Sequence, residues 1–241
     1  MLRAAIAEHR ATSMLAVSML LRTVTAIDLR DNRLTDDEAL LIASALPHAP
    51  MLARLNLAGN RIGAPGVKSL GQSMRMCATP SAPSAPGSAP GSAPSEKAAA
   101  VFKLAELELS RNSFCVNDPM LMDEGIVEVG KAIALCGWLT AVNLSAIGAD
   151  TSAGVALAQH IFTTKIVGAA SQPVRALRTL NLSSNNLGAA FCDELGNVFE
   201  KCSHLTHLDL SHNELGVSGG RKCAQALAKA TALRYLDLSG N

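Results

Sequence analysis

Leucine and other aliphatic residues recur along the chain in the order L-x-x-L-x-L-x-x-N-x-L, with an asparagine at a fixed place. Complete copies of this template begin at Val24, Leu52, Leu104, Leu177 and Leu205. A copy that begins at Leu233 runs to Asn241, and a degenerate copy that begins at Leu139 has Ile147 at the asparagine position. The alternation inside each copy predicts a short strand whose leucines share one buried face.

The template asparagine recurs every 28 residues in three places: Asn32 to Asn60, Asn185 to Asn213, and Asn213 to Asn241. The interval from Asn60 to Asn112 is 52 residues, which is one unit and an insertion of 24, and that from Asn112 to Asn185 is 73, which is two units and an insertion of 17. A fixed period of this length indicates an array of stacked repeats. Because an asparagine amide both donates and accepts, we expect it to bond backbone groups at the bend after each strand, which Ile147 cannot do.

Apolar residues between the templates recur at helical spacing. This spacing predicts α-helices at Asp36–Leu46, Gly66–Met76, Glu124–Leu135, Phe191–Lys201 and Gly219–Lys229. In the last of these, Ala224, Leu227 and Ala228 share one face, which we expect to be buried. Each unit therefore combines a short strand, a turn and a helix.

This strand and helix unit of 28 residues resembles the ribonuclease-inhibitor type of leucine-rich repeat. Cys136 and Cys202 stand three residues before the first leucine of their units, where that type often carries a cysteine, and Cys77 has the corresponding place before the third unit. The resemblance implies an α/β fold, a leucine-rich-repeat solenoid (horseshoe) with a parallel concave sheet of about seven short strands and convex helices.

Two domains are expected. Residues 1–23 form an N-terminal helix, a cap or the end of a preceding repeat, and residues 24–241 form the array. A segment at about 78–97 contains mainly Pro, Ala, Gly and Ser and is expected to be disordered, because it has too little apolar surface to offset chain entropy. Shorter insertions lie near Cys115–Met120 and Thr163–Val174. The chain stops within a template at Asn241, which favours a fragment of a longer array over an end that meets a partner.

Composition excludes several functions. Lys and Arg number 21 against 20 Asp and Glu, and aromatic residues are 3% of the chain, which argues against nucleic-acid and membrane binding. None of the six cysteines forms a C-x-x-C pair, so buried thiols in a reducing compartment are favoured over zinc or a sparse set of disulfides. We expect a cytoplasmic protein. A nuclear location, or a mitochondrial transit helix or signal peptide within residues 1–22, remains an alternative.

Catalytic and metal motifs are weak. The G-x-S-x-G letters at 216–220 place Ser218 in a turn that enters a helix, whereas a nucleophile elbow needs the serine at a strand end. His204, His207 and His212 lack metal-ligand spacing and are expected to be exposed. Asn143 and Asn181 stand in glycosylation sequons that the template itself produces. We therefore expect no enzyme, no cofactor and no metal.

The residues between the leucines should line the concave face in three rows. The middle row comprises Asp28, Asn56, Glu108, Asn143, Asn181, Asp209 and Asp237. The outer row comprises Ala26, Arg54, Glu106, Ala141, Thr179, His207 and Tyr235, and the third comprises Arg30, Ala58, Ser110, Ser145, Ser183, Ser211 and Ser239. A basic rim of Arg30, Arg33, Arg54 and Arg61 lies near the N-terminus. Since Tyr and Arg are enriched at binding hot spots, we predict partner binding by Arg54, Asn181, His207, Asp209, His212, Tyr235 and Asp237.

Proteins with this type of repeat include ribonuclease inhibitor, innate-immune receptor arrays and actin regulators. The resemblance therefore implies an interaction scaffold whose partner is another protein. The alternative is a GTPase-activating regulator of a small GTPase, because the Ran GTPase-activating proteins are arrays of such units, and Arg33, Arg61 and Arg111 stand on comparable turns. A piece of a multidomain receptor or of an axonemal-type protein is a further alternative. Fold alone does not choose among them.

Overall fold

The computed structural model describes residues 21–78, 103–112, 119–163, 177–201 and 203–241. Within these ranges the strands are β1 (Ala26–Asp28), β2 (Arg54–Asn56), β3 (Glu106–Glu108), β4 (Ala141–Asn143), β5 (Thr179–Asn181), β6 (His207–Asp209) and β7 (Tyr235–Asp237). The helices are α1 (Asp36–Ala45), α2 (Ala64–Ala78), α3 (Pro119–Leu135), α4 (Thr151–Thr163), α5 (Gly188–Lys201) and α6 (Gly216–Leu227). A short 3-10 helix, Leu46–His48, follows α1.

The seven strands form one open parallel sheet in the order β1 to β7. Equivalent template positions pair throughout, so Ile27 lies beside Leu55, and Leu55 beside Leu107. Consecutive helices pack against one another as a second layer. This arrangement confirms the predicted leucine-rich-repeat solenoid with its sheet of seven short strands.

The core lies between the sheet and the helices. The template leucines fill it, and Leu52, Leu57, Leu104, Leu139, Leu144, Leu177 and Leu210 are fully buried. Each buried leucine contributes roughly 1.5–3 kcal/mol of transfer free energy. Because a single strand and helix cannot cover this surface, each unit depends on its neighbours for stability.

The template asparagines connect each unit to the one before it. The Asn60 amide donates to the carbonyls of Leu29 and Leu57 at 3.0 and 2.8 Å, and its oxygen accepts from the backbone N–H of Asn32 at 2.9 Å. The same pattern recurs at Asn112, Asn185, Asn213 and Asn241. The predicted bonding of backbone groups by asparagine is confirmed, and these bonds link neighbouring units.

Ile147 takes the asparagine position in the fourth unit and is buried as an apolar residue. Its backbone N–H donates to the side-chain oxygen of Asn185 at 3.1 Å, so this unit still receives the bonds that the following unit supplies. Asn185 also donates to the carbonyl of Leu144 at 3.0 Å. The substitution therefore removes only the bonds that a residue 147 amide would have made to the unit before it.

The helices differ from the sequence prediction in extent and, for α6, in orientation. Most begin earlier than predicted, and α4 was not predicted at all. The predicted buried face of α6 is wrong, since Ala224, Leu227 and Ala228 are exposed. Its buried residues are Gly219, Cys223 and Ala226. These follow the same helical spacing on a different face, because α6 is oriented by its packing against α5.

Two glycines in helices test how closely neighbouring units pack. A Cβ atom at Gly71 in α2 would lie 2.7 Å from the carbonyl carbon of Glu128 in α3, whereas one at Gly220 in α6 would meet nothing within 4 Å. We expect Gly71→Ala to lower the free energy of unfolding by about 1–3 kcal/mol through overpacking. Gly220→Ala should raise it by about 0.5–1 kcal/mol through helix propensity.

Urea unfolding of both glycine variants measures the two effects. They have opposite signs although the substitution is the same. Equal shifts in one direction would contradict the close approach of α2 and α3.

Several predictions fall outside the described residues. These are the helix over most of residues 1–23, the disorder at about 78–97 apart from Ala78, the insertion at 113–118 and most of that at Thr163–Val174. They stay predictions. In the part of the chain that the structure describes, no helix is long and apolar enough to cross a membrane.

Candidate protein-binding surface

The surface of the sheet opposite the helices, called here the sheet face, carries the outer and middle rows that the sequence predicts. The strand register aligns both rows, with Thr179 beside His207 and His207 beside Tyr235. The middle row aligns in the same way, with Asp209 beside Asp237. Because parallel strands lie about 4.8 Å apart, these side chains form continuous lines across the units.

The middle row is partly engaged by its own backbone. In each unit its side-chain oxygen accepts the backbone N–H two residues later, as Asp209 does from Ser211 at 2.9 Å and Asn181 from Ser183 at 2.9 Å. The hydroxyls of Ser183 and Ser211 donate to the same oxygens. Each acidic residue of this row therefore has one oxygen fixed in a turn and a second oxygen directed elsewhere.

The C-terminal cluster comprises His207, Asp209, Tyr235 and Asp237. The rings of His207 and Tyr235 stack with centroids 5.9 Å apart and an angle of 28° between their planes. Tyr235 is 51% exposed, and its hydroxyl donates to Asp237 Oδ2 at 3.2 Å. The stack and this bond hold an exposed aromatic side chain in one orientation on the sheet face.

Electrostatics within the C-terminal cluster favour the charged form of the acid. Hydrogen bonds from Ser239 hold the pKa of Asp237 below its ordinary value, and the hydrogen bond to Asp237 raises the pKa of Tyr235. Among the described residues, no lysine or arginine forms an ion pair with Asp209 or Asp237. The cluster thus presents two carboxylates beside a stacked aromatic pair.

The N-terminal part of the sheet face is different, because its charges are paired. Arg30 Nη2 lies 2.9 Å from Asp28 Oδ2, and Arg54 Nε lies 3.8 Å from Glu106 Oε2. All four side chains are about half exposed or more. The predicted basic rim therefore includes two arginines whose charge is partly neutralised by neighbouring acids.

The structure brings some predicted site residues together and separates others. His207, Asp209, Tyr235 and Asp237 lie on β6 and β7, and Asn181 lies beside Asp209 on β5. Arg54 lies on β2, at the other end of the sheet. His212 lies in the turn after β6 with a φ of 55°, and its ring occupies the space above Gly240. It is not part of the sheet face.

Other predicted motifs are also placed. Arg33 and Arg111 lie in turns with φ values of 58° and 53°, and Arg111 Nη2 is 3.4 Å from Asp31 Oδ1. Ser218 is an exposed residue near the start of α6, as the helix-entry prediction requires. No group of three or more His, Cys, Asp or Glu side chains suited to a metal occurs within the described ranges.

Sequence reasoning missed two features of this surface. The turn bonds of the middle row leave no apolar signal, although an acid or amide two residues before serine recurs in several units. Trp138, which is 52% exposed, lies before β4 and outside the sheet face. Its exposure depends on how the loop packs, which the repeat pattern does not encode.

Comparison with known families identifies the repeats. The family described as Leucine Rich repeat matches residues 21–43, 48–71 and 201–222, and a second, Leucine Rich Repeat, matches residues 176–198. Leucine-rich repeats are therefore present in this chain. No curated protein matches the sequence.

Three solved structures have a similar chain path. Leiomodin-1 actin-binding site 2 is 12% identical with a TM-score of 0.46, over 90% of this chain and 86% of that one. The tropomodulin C-terminal domain of Caenorhabditis elegans is 9% identical with a TM-score of 0.46, over 91% and 93%. The TLR13–ssRNA13 complex is 18% identical with a TM-score of 0.48, over 92% of this chain and 23% of that one.

Proposed function

We propose that this chain is a protein-interaction scaffold and that the C-terminal cluster of its sheet face binds a partner segment carrying lysine or arginine. The observation that carries the proposal is the half-exposed Tyr235, stacked on His207 beside the carboxylates of Asp209 and Asp237. The leucine-rich repeats supply a rigid parallel sheet on which these side chains are held in register.

The chemistry of the cluster favours a basic partner. A tyrosine held in one orientation supplies contact area with little loss of conformational entropy, and tyrosine is enriched at binding hot spots. Carboxylates form strong charge-assisted hydrogen bonds with ammonium and guanidinium groups, and such cations also bind the faces of aromatic rings. Asp209 and Asp237 have no lysine or arginine partner among the described residues, so both are available to a partner's cation.

The finer features of the array are part of the same proposal. A unit of 28 residues that contains an α-helix of 10 residues in α1 and 17 in α3 supports the ribonuclease-inhibitor type of repeat. The single sheet from Ala26 to Asp237 supports one array over residues 24–241. The free thiols of Cys77, Cys136, Cys192 and Cys223 support a reducing compartment such as the cytoplasm. The GTPase-activating alternative gains no support from the comparisons and is not proposed.

The double variant Tyr235→Ala/Asp209→Asn tests the cluster. Asparagine at 209 keeps the oxygen that accepts from Ser211 and removes only the charge. Loss of a hot-spot tyrosine and a charge contact should cost about 2 kcal/mol or more, which weakens binding by about 30-fold. The protein captured from a lysate by the wild-type chain is purified and titrated against both chains by calorimetry.

Val217→Ala is the matched control, since Val217 is 83% exposed on α6 and lies away from the sheet face. Its affinity should equal that of the wild-type chain, and the melting temperatures of all three chains should be close. A partner that binds the double variant as tightly as the wild type would exclude the C-terminal cluster as the binding site. A partner whose affinity does not fall with salt would exclude a basic segment.

A further inference from the structure

Two cysteines from neighbouring units meet in the core. Cys192 on α5 and Cys223 on α6 are 2% and 1% exposed, and their sulfur atoms are 3.1 Å apart and share a hydrogen bond. They are separated by 31 residues in the sequence. Both are free thiols in this structure.

The close approach of α5 and α6 produces this contact. Gly219 lies one helical turn before Cys223, on the same buried face of α6. A Cβ atom at Gly219 would lie 3.3 Å from the Cα of Ala189 and 3.4 Å from the sulfur of Cys192. The absence of a side chain at Gly219 therefore lets the helices approach and directs the two thiols at each other.

The shared hydrogen bond also makes the two thiols chemically unequal. The bond from Cys192 lowers the pKa of Cys223, and the same interaction raises the pKa of Cys192. One proton of the pair is consequently lost more readily than that of an isolated buried thiol. The thiolate is the reactive form of cysteine in disulfide exchange.

We propose that Cys192 and Cys223 are a redox modification site that forms a reversible disulfide between neighbouring units by exchange with a small-molecule disulfide. The Cys223 thiolate attacks one sulfur of the small disulfide, forms a mixed disulfide and releases one thiolate. The Cys192 thiolate then attacks the Cys223 sulfur, forms the Cys192–Cys223 bond and releases the second thiolate. The protein loses two electrons and two protons, and the small disulfide is reduced to two thiols.

Geometry and packing allow this step. A disulfide needs a sulfur separation of about 2.05 Å, so the sulfurs must approach by about 1 Å. Both thiols are buried, so exchange requires a local opening of α6 from α5. Among the described helices α6 packs against α5, which makes it easier to open than a helix held on both sides.

The other described cysteines do not form such a pair. Cys136 shares a weak hydrogen bond with the carbonyl of Met74 at 3.9 Å, and burial raises its pKa to about 12. Burial also raises the pKa of Cys77. Cys136 is buried like Cys192 and stands before its template as a repeat cysteine. It is therefore the matched control.

Tryptic mapping after oxidation tests the site directly, because the sequence places each of the six cysteines on a separate tryptic peptide. Cys192 lies on peptide 179–201 and Cys223 on peptide 223–229, while Cys202 lies on 202–221. The folded chain is incubated with oxidised glutathione, alkylated and digested without reductant. We expect these two peptides to be linked as the predominant product, and dithiothreitol to separate them.

Two variants and a melting curve complete the experiment. Cys136→Ser should leave the link unchanged, and Cys192→Ser should replace it by a glutathione adduct at Cys223. The oxidised wild-type chain should melt on the order of 5 °C higher than the reduced one, because the bond closes a loop of 31 residues. Alkylation of Cys192 and Cys223 without any link, or preferred linkage of other peptides, would overturn the proposal.

Discussion

Replacing Asn60 with alanine is expected to lower the free energy of unfolding by about 3 kcal/mol or more. The side chain is 5% exposed and bonds backbone groups of two units. It accepts from the N–H groups of Asn32 and Leu34 and donates to carbonyls that include that of Leu29. Alanine leaves several of these groups unpaired in the core, and each unpaired buried group costs about 1–3 kcal/mol.

Urea unfolding followed by circular dichroism measures this loss. Asn197→Ala is the control, because Asn197 lies on α5 and its amide bonds only the side chain of Glu194 in an exposed position. That variant should change stability by less than about 0.5 kcal/mol. If Asn60→Ala proved as mild as the control, water would have to replace the lost bonds, and the asparagine would not be a structural link between units.

Phe191→Ala is expected to lower the free energy of unfolding by about 3–5 kcal/mol. Phe191 is one of the largest fully buried side chains among the described residues. It lies with Leu157 on α4, Leu195 on α5 and Leu208 on β6, so it contributes to the core of more than one unit. Truncation removes its apolar contacts and leaves a cavity that the fixed strands cannot fill.

Hydrogen exchange shows where the effect of Phe191→Ala is felt. Because each unit contacts only its neighbours, amides of β5 and β6 should exchange faster while those of β1 and β2 keep their protection. Tyr235→Phe serves as a control for an aromatic change on the surface, since Tyr235 is half exposed. Uniform acceleration over all strands would contradict local coupling and would indicate that the array unfolds as one cooperative unit.

The fold could be predicted from the sequence because a repeat multiplies one weak local pattern. The spacing of the template asparagines alone determines which leucine pairs with which, and Leu55 and Leu107 pair as that spacing requires. Once the register is known, the alternation along each strand identifies the sheet face. The contact of His207 with Tyr235 then follows from their equivalent positions in consecutive units.

The remaining features depend on geometry that the period does not contain. The buried face of α6 is determined by its rotation against α5, so the sequence pattern of Ala224, Leu227 and Ala228 was misleading. The contact of Cys192 with Cys223 requires the same rotation and the small size of Gly219. His212 was assigned to the binding surface by proximity in sequence, but a backbone turn with positive φ directs it elsewhere.

The asparagine bonds also give the array a direction. Every bonded asparagine serves its own unit and the unit before it, as Asn213 does for the carbonyl of Leu182 and Asn241 for the N–H of Asn213. Removal of a unit from the C-terminal side therefore leaves the preceding turn with unpaired groups, whereas removal from the N-terminal side leaves the following turn intact. Under a stretching force, units should detach in sequence from the C-terminal side, each releasing about 90 Å of extended chain for its 28 residues.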